Sequence, residues 1–130
     1  MAALSDHAEA LLLDWLMTTG SATRPTAWYV GLFTAAPSDS GGGTEVSGSG
    51  YSRQAVTFAA ASSPGGTTSN TGDVSFTASG GNWGTITHIG IFDAVSGGNL
   101  LWHGAMTASR VVNDGDTLEF SVGNIDLTIA

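Results

Sequence analysis

The stretch from Trp83 to Thr107 constrains the fold more than any other part of the chain. It contains two largely apolar segments, 85–92 and 99–106, separated by the turn sequence Asp-Ala-Val-Ser-Gly-Gly. Two such segments on either side of a Gly-rich turn are typical of a β-hairpin. Both faces of residues 85–92 carry apolar side chains, so this strand is predicted to be central and covered on each side.

The same strand pattern recurs along most of the chain after residue 25. Further predicted strands, rich in aromatic and β-branched residues or alternating apolar with polar ones, are 26–33, 51–58, 73–78, 110–112, 117–122 and 124–129. The sequence Asn113-Asp-Gly-Asp predicts a hairpin turn between 110–112 and 117–122. Two segments without periodicity, 34–50 and 59–72, are predicted to be long flexible loops.

These elements predict a mainly β protein that forms a single domain over residues 1–130. Short strands, Gly-rich turns and the lack of helices between strands are typical of an antiparallel β-sandwich or a flattened barrel. We expect about seven strands, preceded by one N-terminal α-helix.

That helix is predicted at residues 5–18. Ser5 is a favourable N-cap, and Asp6 and Glu9 are acidic residues in the first turn, where the helix dipole favours them. Apolar residues recur at spacings of three and four and form one face: Leu4, Ala8, Leu11, Leu12, Trp15 and Leu16. This face is expected either to cover the core as a lid or to contact a partner.

Charge and composition exclude several classes of function. Eleven acidic residues against three arginines give a net charge of −8, which disfavours binding to nucleic acids or anionic membranes. The absence of cysteine excludes disulfides and thiolate metal sites. Leu, Ile, Val and Phe together make up only 28 of the 130 residues, so we expect an oligomer to supply further burial.

The histidines His7, His88 and His103 are the first candidates for chemistry. His88 and His103 lie on neighbouring predicted strands, but a metal site would need a third ligand, for which only Asp93 is near in sequence. Sheet histidines held by hydrogen bonds, or histidines at a subunit contact, are the favoured interpretation.

The acidic cluster of Asp114, Gly115, Asp116 and Glu119 is the second candidate. It resembles a calcium-binding loop only in part, because it lacks the longer alternation of acidic residues found in an EF-hand. A plain hairpin turn is favoured.

No motif for catalysis is present in the sequence. No serine stands in a G-x-S-x-G frame, and no Gly-rich stretch connects a strand to a helix as in phosphate-binding loops. Aromatic residues that could stack on sugars are Trp28, Tyr29, Tyr51, Trp83 and Trp102. Most of them lie in predicted strands, where core packing explains them. We therefore expect a protein that is not an enzyme, with no catalytic, cofactor-binding or metal-binding residues.

Three ordered stretches resemble a family of small tailed-bacteriophage virion proteins that are commonly labelled phage tail fibre proteins. The first, Leu4 to Asp39, pairs the helix with AWYVGLFTAAPSD; the second is GTEVSGSGYSRQAVTF, residues 43–58. The third begins at Trp83 and continues through VNDGDTLEFSVGNIDLTIA to the C-terminus. The resemblance covers essentially the whole chain.

The resemblance implies a virion structural protein that is assembled in the bacterial host cytoplasm. Its partners would be major capsid or tail proteins and further copies of itself, in a homo-oligomer such as a trimer. Because the chain has no repeats and no heptads for a fibrous shaft, we expect a capsid decoration (cement) protein on the outer head surface. The alternative is a tail fibre or tail-tip component with a glycan-binding role in host recognition.

Overall fold

A computed structural model describes residues 2–63 and 65–129. In these residues ten strands accompany one helix. Their bounds are β1 Ala2–Leu4, α1 Asp6–Met17, β2 Tyr29–Ala35, β3 Thr44–Glu45, β4 Gln54–Ala55, β5 Thr67–Ser69, β6 Val74–Thr77, β7 Gly84–Phe92, β8 Leu100–Val112, β9 Thr117–Phe120 and β10 Asp126–Thr128.

All strand pairs are antiparallel. The main sheet has the order β1-β8-β7-β2-β3, and β4 also pairs with β2. Two small ladders, β5–β10 and β6–β9, pack against it. The predicted mainly β, antiparallel architecture with one N-terminal helix is therefore confirmed, whereas the flattened barrel is wrong because the sheets do not close.

The predicted hairpin forms the centre of the main sheet as β7 and β8. Its register is interrupted by a bulge, because Ile86 lies opposite Arg110 but His88 lies opposite Ala105. One residue of β7 and four of β8 are thus unpaired between these two positions. The bulge changes which side chains face the core, so that Ile86 and Ile91, an odd number of residues apart, belong to the same buried cluster.

Apolar side chains are buried on both sides of the main sheet, as predicted for a covered central strand. The inner core lies between this sheet and the two small ladders, and Phe76, Leu32, Ile86, Ile91 and Val30 are its largest fully buried apolar side chains. Four buried apolar residues lie outside that cluster: Ala8, Phe33, Phe92 and Leu101.

Two glycines opposite each other make room on the outer face. Gly31 of β2 pairs with Gly90 of β7. A Cβ at Gly31 would lie 2.9 Å from a Phe92 ring carbon, and one at Gly90 would lie 3.0 Å from a Phe33 ring carbon. These distances are too short for a side chain, so the glycines allow the Phe33 and Phe92 rings to stack at a centroid distance of 6.0 Å.

Several predicted boundaries need correction. Segment 34–50, predicted to be a flexible loop, contains β3 and a bridge between Ser38 and Gly41, and Val46 is buried. Segment 59–72, also predicted to be a flexible loop, contains β5; its Pro64 lies outside the described residues. Conversely, most of the predicted strand 51–58 is irregular apart from β4. The expected seven strands are therefore too few.

The predicted hairpin turn at Asn113–Asp116 is also corrected. The turn exists, but β8 pairs with β7 whereas β9 pairs with β6, so it connects two different sheets.

Within the described residues, no helix has the length and apolar character needed to cross a membrane.

Candidate functional site

The N-terminal helix is fastened to the body by hydrogen bonds at its first turn, and Leu11 and Leu12 in its second turn are partly buried. The backbone N–H of Ser5 donates to the carbonyl of Leu101 over 2.9 Å, and that of Asp6 donates to the carbonyl of Asp39 over 2.8 Å. The Ser5 hydroxyl caps the helix, accepting from the N–H of Ala8 over 3.1 Å, as the sequence predicts. Ala8 is the one buried residue of α1.

Asp39 strengthens this attachment from the side of the sheet. Its carboxylate lies 2.7 Å from Nε2 of His103 on β8, while its carbonyl holds the start of α1. Asp39 therefore links the segment after β2 to both β8 and the helix. His103 is thus explained as a sheet histidine with a hydrogen-bonding partner.

The second half of the helix is apolar and exposed. Leu13, Trp15, Leu16 and Met17 keep between 62% and 72% of their surface accessible. The sequence prediction of one apolar face that covers the core as a lid is therefore wrong for this half of the helix. Residues 11–17 are apolar except for Asp14, so apolar side chains point in nearly every direction around the axis.

The second surface feature is a groove whose walls carry both apolar and polar side chains. An open groove of about 610 Å³ runs between β7 and β8 on one side and β9, β10 and the turn between them on the other. Four partly buried apolar side chains that pack on the core contribute to its walls: Ile89, Trp102, Met106 and Phe120. The groove exists because the β6–β9 and β5–β10 ladders pack against the main sheet but do not pair with β8.

The rim of the groove carries charges of both signs. Arg110 lines it from β8, and Glu119 and Asp126 line it from the opposite wall. Arg110 is exposed and has no carboxylate within ion-pair distance in the described part of the chain. No residue of α1 lines the groove.

A polar network that sequence reasoning missed stabilises the outer face. Arg53 donates from Nε and Nη2 to the two carboxylate oxygens of Glu45, each over 2.8 Å. Its Nη1 donates to the carbonyls of Ala94 and Gly97 in the turn between β7 and β8. The guanidinium also lies 3.4 Å from the centre of the Phe92 ring, a cation–π contact.

Tyr51 completes the network. Its hydroxyl donates to Glu45 over 2.7 Å and accepts from the N–H of Leu32. Burial, followed by the hydrogen bond to Glu45, raises the pKa of the tyrosine hydroxyl. Burial acts to raise the pKa of Glu45 as well, but hydrogen bonds from Arg53 and Tyr51 and the positive charge of Arg53 outweigh it and lower that pKa. The network is therefore built around an ionised Glu45.

The remaining candidates from the sequence do not come together as a cluster of metal-binding side chains in the described part of the chain. His88 and His103 lie two register positions apart, opposite Ala105 and Gly90. Nδ1 of His88 lies 2.8 Å from the hydroxyl of Thr87. Among residues 2–63 and 65–129, no three His, Asp or Glu side chains lie close enough together to hold a metal ion.

The acidic candidates are used in turns. Asp93 accepts from the N–H and the side-chain amide of Asn99; burial acts to raise its pKa, but these hydrogen bonds outweigh burial and lower it. Asp116 accepts from the N–H of Asn113, and Asp114 accepts from that of Gly80. The cluster is a turn, as the favoured interpretation held.

The aromatic residues considered for sugar stacking are mostly packed in the core. Trp83 is buried and lies edge-on against Tyr51 at a centroid distance of 5.4 Å. Trp28, Tyr51 and Trp102 are partly buried against the inner cluster. The most exposed tryptophan is instead Trp15 on α1, which was assigned to the apolar helix face.

Comparison with known families places the chain among phage fibre proteins. The family model described as "Podophage GP4 fiber I protein gp80" matches residues 3–128, almost the whole length. A search of curated proteins finds no match. The chain therefore belongs to the podophage GP4 fiber I protein gp80 family and is a structural protein of a phage particle.

Proposed function

We propose that this protein is a non-enzymatic structural subunit on the outside of the phage particle, attached through the exposed half of α1. The observation that carries the proposal is the contrast between the two parts of the molecule. The β body buries apolar side chains on both faces of its main sheet and, among its described side chains, has no buried polar atom without a hydrogen-bonding partner. The helix, by contrast, presents large apolar side chains to water.

The size of this exposed surface supports a contact in the assembled particle. Complete burial of one Leu, Met or comparable side chain is worth roughly 1.5–3 kcal/mol. Since Leu13, Trp15, Leu16 and Met17 are about two-thirds exposed, covering all four would contribute roughly 4–8 kcal/mol. Continuous apolar patches of this kind are typical of interaction sites.

Two positions in the particle are compatible with this mechanism. The compact body without heptads or repeats favours a decoration protein on the outer head surface, which it would stabilise by bridging capsid subunits. Membership of a fibre protein family is also compatible with a tail position, in which the same helix would fasten the subunit to the tail. Gold-labelled antibody against the protein, imaged on intact particles, distinguishes the two by the site of the label.

A binding assay tests the proposed attachment. Particles from a phage lacking the gene are mixed with purified protein, sedimented, and analysed for the bound chain. The double variant Trp15→Ser, Leu16→Ser is expected to lose binding, because both side chains belong to the exposed apolar surface. Val95→Ser is the matched control, since Val95 is an exposed apolar residue in the turn between β7 and β8. Equal binding of the double variant and the control would overturn the proposal.

The absence of enzymatic activity is part of the proposal. It is supported by the hydrogen bonds of the acidic and histidine candidates. Asp93, Asp114 and Asp116 accept hydrogen bonds in turns, and His103 is hydrogen-bonded to Asp39. Incubation of the protein with host capsular or lipopolysaccharide sugars should release no new reducing ends. Release that disappears in a His103→Gln variant would contradict this part of the proposal.

A further inference from the structure

We propose that the groove beside β8 receives an extended peptide strand from another protein of the phage particle, and that this strand pairs with the outer edge of β8. The inference goes beyond the proposed function, because it assigns a second contact surface and leaves the exposed half of α1 available for attachment. It is carried by the main chain of β8, whose outer edge is paired over only part of its length.

The strand β8 is much longer than the strand beside its outer edge. β8 has 13 residues, whereas β1 has three and pairs only with residues 102–104. The other edge of β8 is occupied by β7. Within residues 2–63 and 65–129, no strand pairs with the outer edge of residues 106–112. An edge of this kind is a template for pairing with another chain.

The direction of the main-chain groups follows from hydrogen bonds at the two ends of β8. The carbonyl of Leu101 accepts from Ser5 on the outer side, whereas the carbonyl of Val112 accepts from Trp83 on the β7 side. Successive residues of a strand direct these groups to opposite edges, so both ends assign the odd-numbered residues of β8 to the outer edge. The N–H and C=O groups that face outward therefore belong to three exposed residues: Thr107, Ser109 and Val111.

The groove follows this edge. Its lining includes seven consecutive residues of β8, 102–108. Successive side chains of a strand point to opposite faces, so neighbours line one groove only where it opens along the edge. The opposite wall belongs to β9, β10 and the turn between them. Because β1 contacts both β8 and β10, a strand in the groove would continue the line of β1.

The side chains along the edge allow a second backbone to approach. Residues 106–111, MTASRV, contain no proline and one charged residue, whereas edges that avoid pairing commonly carry prolines or several charges. Thr107, Ala108 and Ser109 are small, and a paired strand lies about 4.8 Å away. On the core side, apolar side chains of that strand would contact Trp102 and Phe120, which are only partly buried in the single chain.

The charge of the groove selects the kind of peptide. Glu119 and Asp126 line the wall opposite Arg110, and the chain as a whole has a net charge of −8. An acidic segment would be repelled, whereas a neutral or basic segment would not. The expected partner is therefore an extended segment that alternates apolar with neutral or basic residues. Its main chain supplies the affinity, as in other cases of strand addition.

Hydrogen exchange of the bound protein tests this pairing. Purified protein is bound to particles from a phage that lacks the gene, and amide exchange is resolved to single residues by mass spectrometry. We expect exchange at Thr107, Ser109 and Val111 to slow at least about tenfold on binding, because these amides acquire acceptors on a neighbouring strand. The amide of Gly42, which is exposed and outside the groove, is the control and should keep its rate.

The variant Thr107→Pro separates main-chain pairing from side-chain contact. Thr107 is one of the four residues of β8 that have no partner on β7, so proline removes an outward donor and no bond of the sheet. We expect particle binding to weaken about two- to tenfold. Thr107→Val retains the N–H and should bind like the wild type. Urea unfolding of both variants verifies the fold, and the exchange measurement on the unaltered protein decides if Thr107→Pro does not fold.

Several results would overturn the inference. These are fast exchange at the three amides in the bound protein, or equal binding of folded Thr107→Pro and Thr107→Val. Protection that rises with protein concentration in the absence of particles would assign the edge to a second copy. Protection by host lipopolysaccharide alone would assign the groove to a glycan.

The same measurements distinguish this inference from the proposed function. If the protein binds through Trp15 and Leu16 while the edge amides exchange rapidly, the proposed function stands alone. If the Trp15→Ser, Leu16→Ser variant binds normally and its edge amides are protected, the strand inference stands alone. If the unaltered protein does not bind particles, both fail.

Discussion

Replacement of Arg53 by Met is the perturbation whose consequence the structure defines most sharply. Arg53 makes four hydrogen bonds, two to the Glu45 carboxylate and two to carbonyls of the turn between β7 and β8. Its side chain is 9% exposed and that of Glu45 is 25% exposed. Methionine retains an apolar stem over Phe92, so the substitution chiefly removes the charge and the donors.

The expected cost follows from the carboxylate that is left behind. Removal of one partner from a buried ion pair typically costs about 3–5 kcal/mol, since the remaining charge is desolvated without compensation. Glu45 keeps a quarter of its surface in water and also accepts from Tyr51, which reduces this penalty. We therefore expect Arg53→Met to lower the free energy of unfolding by about 2–4 kcal/mol.

Urea unfolding, followed by tryptophan fluorescence at two protein concentrations, measures this loss separately from any effect of oligomerisation. Arg24→Met is the matched control, because Arg24 is exposed and has no ion-pair partner among the residues described; we expect a change within about 0.5 kcal/mol. The double variant Glu45→Gln, Arg53→Met should lose less than the sum of the two single variants. A loss for Arg53→Met no larger than that of the control, or strict additivity, would refute the reasoning.

Three further predictions concern other polar contacts. The pKa of Glu45 lies below its ordinary value of 4.5, so the contribution of Glu45 to stability is complete above pH 4.5 and is lost as the pH falls through the lowered pKa. The difference in unfolding free energy between wild type and Glu45→Gln should therefore shrink from pH 7 to pH 3. A difference that stays constant would contradict this prediction. Asn70→Ala should cost about 2–4 kcal/mol in urea unfolding, because Asn70 is 2% exposed and its loss leaves the N–H of Ile125 without an acceptor. Ser5→Ala should cost about 1–2 kcal/mol by thermal melting, since it removes both the helix cap and a hydrogen bond to Leu100; Ser5→Thr should retain most of it.

Elements with a local signal could be predicted from the sequence. The central hairpin and the helix have long apolar patterns, and their predicted bounds of 85–92 and 5–18 lie close to β7 and α1. The short strands β3 and β5 could not be predicted in the same way. They are two and three residues long and are defined by pairing with β2 and β10, not by their own composition.

The network around Arg53 lies beyond sequence reasoning for a related cause. Arg53 donates hydrogen bonds to carbonyls 41 and 44 residues further along the chain, and no pattern in the neighbouring sequence predicts these contacts. The scarcity of arginine does not single out Arg53, since Arg24 and Arg110 are exposed and have no ion-pair partner among the described residues. Local sequence pattern predicts elements well, whereas long-range polar contacts depend on the assembled fold.

The helix shows most clearly where a sequence pattern stops being informative. The periodicity of α1 indicates an apolar face but not which surface covers it, and within one chain Leu13, Trp15, Leu16 and Met17 remain exposed. An isolated helix of 12 residues is marginal in water, because most helical stability in proteins comes from packing. The second half of α1 thus lacks, within one chain, the contacts that would normally stabilise it. The proposed contact in the phage particle would supply them, so that the burial missing from this thin core is gained only on assembly.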